Sequence, residues 1–292
     1  MKKEMLIGSS ELTILLPAFN EEENIGETIA TLQRLYPYAE ILVIDDCSTD
    51  NTMQIAMEAG ANVWPQPYNK GNGAAIKAGI RCAKGEWIVM MDADGQHDPA
   101  DIHKLLKDKD KYDMVVGARG KADGSIHRNL ANRIYNRLAS YVAKFTIEDL
   151  TSGFRVINKK VAENYLSLLP NHFSYPTTLT LALLRNGRSI KYIPITAKKR
   201  KGKSKIKICK DGTRFLLIII KIATLYSPLR VFLPISSLFF FAGLSYYFYT
   251  FTQYHRFTNM SALLLSCSVI IFMMGMISEQ ISQLKNENVE RG

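Results

Sequence analysis

Two carboxylates one residue apart, Asp92 and Asp94, follow directly on an apolar run, Trp87-Ile88-Val89-Met90-Met91. The run is short, bulky and bounded by Gly85 and Gly95, which reads as a buried strand. The aspartates then stand at its carboxyl end, where open α/β sheets bind ligands. Carboxylates this close repel unless protonated or neutralised by a cation. All-oxygen ligands suit Mg²⁺ or Mn²⁺, and Mg²⁺ commonly takes one or two carboxylates plus substrate phosphates. An acidic turn after a strand fits the same residues. An EF-hand loop does not, because its sixth and twelfth positions require Gly and Glu and here hold His97 and His103.

The elements that would position these groups alternate in type. Strands are expected at 12–16, 40–44, 61–64, 87–91, 114–119 and 190–195, and helices at 20–35, 53–59 and 74–83. The acids Glu21, Glu22 and Glu23 suit the positive end of the first helix. The second strand ends at Asp45-Asp46-Cys47-Ser48-Thr49-Asp50, which mixes carboxylates with helix-capping residues. This βαβα order implies a largely parallel sheet covered by helices, an α/β fold. Asn69-Lys70-Gly71-Asn72-Gly73-Ala74 opens the third helix. It starts like a dinucleotide fingerprint, but Ile76 replaces the third glycine. A loop whose backbone approaches a ligand and a plain turn both fit. Arg128, Arg133 and Arg137 read as a helix with a basic face. Asp149-Leu150-Thr151-Ser152-Gly153-Phe154-Arg155 gathers acid, hydroxyl, glycine and base in seven residues.

The 292 residues carry a net charge of +10, which points to an anionic partner. Nine cations lie within the seventeen residues from Lys198 to Arg214, against one acid, Asp211. Residues 208–230 read as an interfacial helix. Two uncharged runs follow, about 231–251 and 260–278, each long enough to span a bilayer. The short link between them makes a hairpin. The cationic run before the first span places that side in the cytosol, and with it residues 1–207 and the tail 281–292. Lipid facing the cations accounts for the charge without nucleic acid. Four scattered cysteines, with no CxxC pair, agree with a reducing compartment. Four of the five histidines, His97, His103, His127 and His172, have no metal spacing and read as surface or structural residues.

Five segments, in order, resemble the family 2 glycosyltransferases: Pro17-Ala18-Phe19-Asn20-Glu21-Glu22-Glu23-Asn24, Val43-Ile44-Asp45-Asp46-Cys47-Ser48-Thr49-Asp50, Asp92-Ala93-Asp94-Gly95-Gln96, Ser152-Gly153-Phe154-Arg155, and Arg200-Lys201-Gly202-Lys203-Ser204-Lys205. Within that family the resemblance is to dolichol-phosphate mannose synthase and bacterial polyprenyl-phosphate glycosyltransferases. It implies a GT-A fold that binds a nucleotide-sugar, GDP- or UDP-linked, with Mg²⁺ or Mn²⁺. By resemblance, Pro17, Ala18, Asn20, Glu22, Asn69, Gly71 and Ala93 line the donor site. Asp46, with Asp45 beside it, holds the nucleobase. Asp92, Asp94 and Gln96 bind the metal and through it the diphosphate. Arg119, Arg133 and Arg200 gather phosphates, Lys205 joins Arg200 in a loop over the donor, and Asp149 takes the place of a catalytic carboxylate. The implied acceptor is polyprenyl or dolichyl phosphate, and one-step attack by its phosphate inverts the sugar's anomeric centre.

Three rivals remain. Processive polysaccharide synthases carry a Gln-x-x-Arg-Trp motif, which this sequence lacks, since its only tryptophans are Trp64 and Trp87. A nucleotidyltransferase would release pyrophosphate. A membrane-tethered nucleotide-sugar or lipid sensor would bind without turnover.

Overall fold

The structure is a computed structural model that describes residues 11–119, 126–172, 174–196, 224 and 227–290. Two compact units are present, one of residues 1–137 and 146–205, the other of 138–145 and 206–292.

The first unit is built on a seven-stranded sheet. Its strands are β1 (Leu12–Ala18), β2 (Glu40–Asp45), β3 (Asn62–Pro65), β4 (Trp87–Met90), β5 (Met114–Arg119), β6 (Arg155–Asn158) and β7 (Ile190–Ile195), in the order β3-β2-β1-β4-β6-β5-β7. Ile14, Leu15, Leu16, Val43, Ile44, Ile88, Val89 and Met90 are fully buried, as runs covered on both faces must be. β1 pairs parallel with both β2 and β4. The chain therefore moves one way from β1 to β2 and β3, and the other way to β4. The carboxyl ends of β1 and β4 flank that switch, the place where open sheets leave a crevice.

Helix α1 (Ile25–Leu35) buries Ile25, Ile29 and Leu32, but it starts five residues later than expected. Glu21 to Glu23 are not its first turn. Asn20 takes a positive φ of 55°, and the loop is stitched instead to the segment after β2. The amides of Asn20, Glu21 and Glu22 donate to Ser48 Oγ, Thr52 Oγ1 and Asp50 Oδ2 at 3.0, 2.8 and 3.3 Å. Helices α2 (Thr52–Glu58) and α3 (Asn72–Cys82) lie where periodicity puts them. After β4 come a 3-10 turn (Pro99–Asp101) and the short α4 (Ile102–Leu106), and α5 (Ile126–Ala143) follows β5.

Two features escape the sequence reading. α7 (Tyr175–Arg185), reached through α6 (Lys159–Asn164), buries Thr177, Thr178 and Thr180 among its apolar residues and so shows no clean stripe. β6 is only four residues long and runs antiparallel between β4 and β5, with Met90 opposite Arg155. Continuing that register sets Gly153 against Asp92.

The second unit contains two long helices, α8 (Pro228–Tyr254) and α9 (Asn259–Glu290). Segments of 27 and 26 residues within them, Pro228–Tyr254 and Asn259–Leu284, are long and apolar enough to cross a membrane. α9 runs on as helix through the stretch expected to be a tail. Most of the expected interfacial helix, 208–230, lies outside the described residues. Small side chains spaced seven apart are buried on both helices: Ser236, Gly243 and Thr250 on α8, and Ser261, Ser268, Gly275 and Ser282 on α9. A Cβ on Gly243 would lie 3.0 Å from Leu264 Cβ, and one on Gly275 would lie 2.7 Å from Phe232 Cβ. Small residues let apolar helices approach closely. Ser236 Oγ donates to the Ser268 carbonyl and Ser268 Oγ returns a bond to the Ser236 carbonyl, both 3.0 Å. Near the other end Glu279 accepts the Leu229 amide at 3.2 Å, capping α8 with an anion. A double-mutant cycle of Ser236→Ala and Ser268→Ala on thermal unfolding in detergent should give a coupling energy of about 0.6–1.7 kcal/mol. Strict additivity would mean the serines do not bond to each other.

Candidate active site

A pocket of about 360 Å³ opens at the sheet's switch point. Pro17, Ala18, Phe19 and Glu21 reach it from the end of β1, Asp46 from the end of β2, and Asp92, Ala93 and Asp94 from the end of β4. Asn69, Gly71, Asn72 and Ala75 close it from the start of α3. The two aspartates therefore share one cavity. Among the described residues no group of three or more His, Cys, Asp or Glu side chains could hold a metal. A pair of carboxylates still fits a hard cation that takes its other ligands from water and phosphate oxygens, and it does not fit a closed zinc site.

Asp46 is fixed before any ligand arrives. Its Oδ1 and Oδ2 accept the amides of Lys70 and Gly71, each at 2.8 Å. That pins the α3 loop, where Gly71 has φ 94° and a Cβ at Gly73 would fall 2.1 Å from the Pro170 carbonyl oxygen. The glycines serve close backbone approach. Asp45 points elsewhere, accepting Ser48 N at 3.1 Å and Ser48 Oγ at 2.5 Å. Asn20 and Glu22 do not line the pocket either. Asn20 Oδ1 accepts Thr49 N at 2.8 Å and Glu22 Oε2 accepts Asn51 N at 3.1 Å, so both hold loop to loop. In Gln96 it is the backbone amide that bonds Asp94 Oδ1, at 3.2 Å.

The Ser-Gly-Phe-Arg segment supports Asp92. A Cβ on Gly153 would stand 2.7 Å from Asp92 Oδ2. Phe154 is fully buried and stacks on His97, ring centroids 5.1 Å apart. His97 is 5% exposed, and its Nε2 lies 3.7 Å from Asp92 Oδ2. This histidine is neither a surface residue nor remote from the acids. Lack of metal spacing hid it. Burial by itself would push the Asp92 carboxyl up, but His97, and beyond it Arg119 and Arg155, outweigh that and hold it below the usual carboxylate range. Ser152 Oγ donates to the Gly117 carbonyl at 2.6 Å, and Phe154 O accepts Gly117 N at 2.9 Å. Arg155 is wholly buried and donates to the Ser152 and Pro176 carbonyls and to Thr180 Oγ1.

Asp149 and Arg119 form a bidentate pair, Nε to Oδ2 at 2.7 Å and Nη2 to Oδ1 at 3.0 Å. Arg119 Nη2 also donates to Thr151 Oγ1 at 2.6 Å, and Thr151 N donates to Asp149 Oδ1 at 3.1 Å. Burial opposes ionisation of Asp149, but the Arg119 guanidinium and the amides of 119 and 151 prevail, and the carboxyl sits below its usual range. So placed, it is a weak base. Neither Arg119 nor Asp149 lines the pocket, and Arg133 is exposed on α5. Arg200 and Lys205 lie outside the described residues.

This arrangement, a mostly parallel sheet with paired aspartates at its switch point, is that of a GT-A-like α/β fold, followed here by a helical hairpin. The chain belongs to glycosyl transferase family 2, whose family model matches residues 13–166, and the GtrB C-terminal hairpin model matches residues 227–284. Glycosyltransferase AglJ of Haloferax volcanii is 27% identical over 95% of this chain and 96% of its own length. The polyprenol monophosphomannose synthase of Mycolicibacterium smegmatis is 29% identical over 66% of this chain and 80% of its own. Glucosyl-3-phosphoglycerate synthase of Mycobacterium tuberculosis, solved with Mn²⁺, UDP-glucose and phosphoglyceric acid, superposes with a TM-score of 0.61 at 18% identity, covering 73% of this chain and 80% of that one. That likeness concerns the fold.

Two outcomes follow from this geometry. Gly153→Ala should displace Asp92 and cut transfer activity at least tenfold while the unfolding temperature falls by only a few degrees. Near-normal activity would mean that Gly153 does not constrain Asp92. The depressed Asp149 pKa contributes stability at neutral pH that is lost as pH falls below about 4 towards the folded value. The unfolding temperature of Asp149→Asn, already lower at pH 7, should therefore converge on that of the wild type over this acid range.

Proposed function

We propose that this enzyme transfers a hexose from GDP-mannose or a UDP-hexose to polyprenyl or dolichyl phosphate at the cytosolic membrane face, with inversion. What carries the reading is the shared cavity of Asp92 and Asp94 in a chain that also has an apolar helical hairpin. The lipid acceptor is supported by the mannose-synthase relative and by the hairpin family. The reading divides the chain into a cytosolic catalytic domain (about 1–207), a juxtamembrane segment (208–230) and two spans, with the C-terminus returned to the cytosol.

Asp92 and Asp94 would hold Mg²⁺ or Mn²⁺, with Gln96 as a further ligand. The chemistry such a cation supplies is Lewis-acid stabilisation of the charge that grows on the leaving diphosphate. Pro17, Ala18 and the α3 loop would cover the nucleotide, with Asp46 fixing the loop against it. The acceptor phosphate is already ionised near neutrality, its second pKa being ~6, so no strong base is needed. Its oxygen attacks the anomeric carbon as the bond to the diphosphate oxygen breaks, and the nucleoside diphosphate departs. Asp149, ionised and held by Arg119, orients the sugar and offsets positive charge on its ring. Arg133 and Arg200, with Lys205, gather the phosphates.

The test is a transfer assay on detergent-purified protein with polyprenyl phosphate, Mg²⁺ or Mn²⁺ and a panel of labelled GDP- and UDP-sugars. Metal-dependent label should enter the lipid phase with inverted configuration and release of nucleoside diphosphate. Asp94→Ala should lose at least a hundredfold, and Asp149→Asn a comparable factor without loss of donor binding. A donor that binds but labels no lipid would favour a sensor or a non-lipid acceptor, and pyrophosphate release would favour nucleotidyl transfer.

A further inference from the structure

His97 is costly where it stands. It is 5% exposed, its ring lies near-parallel to Phe154, and its Nδ1 meets no hydrogen-bond partner among the described residues. Buried imidazoles with a purely structural role satisfy their nitrogens. This one has Asp92 Oδ2 at 3.7 Å from Nε2. The tautomer with its proton on Nε2 is the one that suits this acceptor. The other tautomer would bury an unpaired N–H at Nδ1 and set two lone-pair atoms, Nε2 and Oδ2, against each other. The separation exceeds hydrogen-bond length in the ligand-free protein, by less than about 1 Å.

We propose that His97 is a positioning residue for cation binding, its Nε2–H, braced by Phe154, fixing Oδ2 of Asp92 so that the other carboxylate oxygen faces the cation. The proposal rests on the reading of Asp92 and Asp94 as cation ligands. Gly153 and His97 act on the same oxygen, Oδ2, the one by close backbone approach and the other by a donor. Both stand nearest to Oδ2. Partners that orient a metal ligand in this way commonly account for ten- to a hundredfold in metal affinity.

The measurement is Mn²⁺ affinity, read from the free-ion electron paramagnetic resonance signal of the full-length protein in detergent with saturating GDP or UDP. His97→Phe keeps a stackable ring and removes the donor. His97→Gln places an amide nitrogen near the position of Nε2, and His97→Asn places one near Nδ1. The Mn²⁺ dissociation constant should rise ten- to a hundredfold for His97→Phe and His97→Asn, while His97→Gln stays within about threefold of wild type. A purely packing role would not rank Gln above Asn. Equal Mn²⁺ affinity in wild type and His97→Phe would overturn the proposal and leave the cation reading intact. So would equal losses in the Gln and Asn variants, which also decide the matter if His97→Phe does not fold. Wild-type protein that binds no Mn²⁺ with either nucleotide would overturn the cation reading itself, and this proposal with it.

Discussion

Negative charge held at the edge of an apolar sheet is the constraint from which the site's architecture follows. Asp92 and Asp94 extend a buried strand, and burial alone favours their neutral form. The protein answers with nearby positive and donor groups. His97 stands beside Asp92, Arg119 and Arg155 lie farther off, and the Gln96 amide bonds Asp94. Arg155 makes no direct ion pair among the described residues. Its guanidinium bonds carbonyls and a hydroxyl in the core, and burial pulls its pKa down despite the favourable charges of Asp149 and Asp92 at a distance. The other carboxylates of the region are satisfied in the same economical way, Asp46 by the amides of 70 and 71 and Asp149 by Arg119 and Thr151. What is left facing the pocket is a pair of acids whose repulsion a divalent cation would relieve.

Much of this was legible in the order of residues. The strands up to β5, and β7, fell where apolar runs end at turn signals, and the α/β class followed from their alternation with helices. The paired aspartates were visible because charge interrupts an apolar run abruptly. The first helix was placed too early because its acids suit a helix start. In the fold the backbone amides of Asn20, Glu21 and Glu22 are satisfied by Ser48, Thr52 and Asp50, partners some thirty residues away. Resemblance puts Asn20, Glu22 and Asp45 among the donor-site residues; in the fold the side chains of Asn20 and Glu22 bond across two loops, and that of Asp45 bonds Ser48 in its own turn. Local sequence carries no sign of such partners.

β6 and His97 were missed for a related reason. A four-residue strand beginning with a buried arginine does not alternate, and its place between β4 and β5 is a property of the whole sheet. His97 became meaningful only once Phe154, more than fifty residues along, was seen stacked on it. The seven-residue spacing of Ser261, Ser268, Gly275 and Ser282 was present in the sequence, but its opposite stripe on α8 gave it sense.

The antiparallel placement of β6 also sets the order in which the protein becomes competent during synthesis. β4 and its aspartates leave the ribosome well before residues 152–158, yet the far edge of β4 is open until β6 arrives. Gly153, Phe154 and Arg155 come with that strand and complete the surroundings of Asp92. β5 and β7, on the other side of β6, cannot join the sheet without it. The surroundings of the acidic site are therefore completed only once residues 152–158 are made, although the residues that define it are made early. A nascent chain that has not passed residue 158 has aspartates but no assembled site, and the hairpin helices begin only seventy residues later, at Pro228.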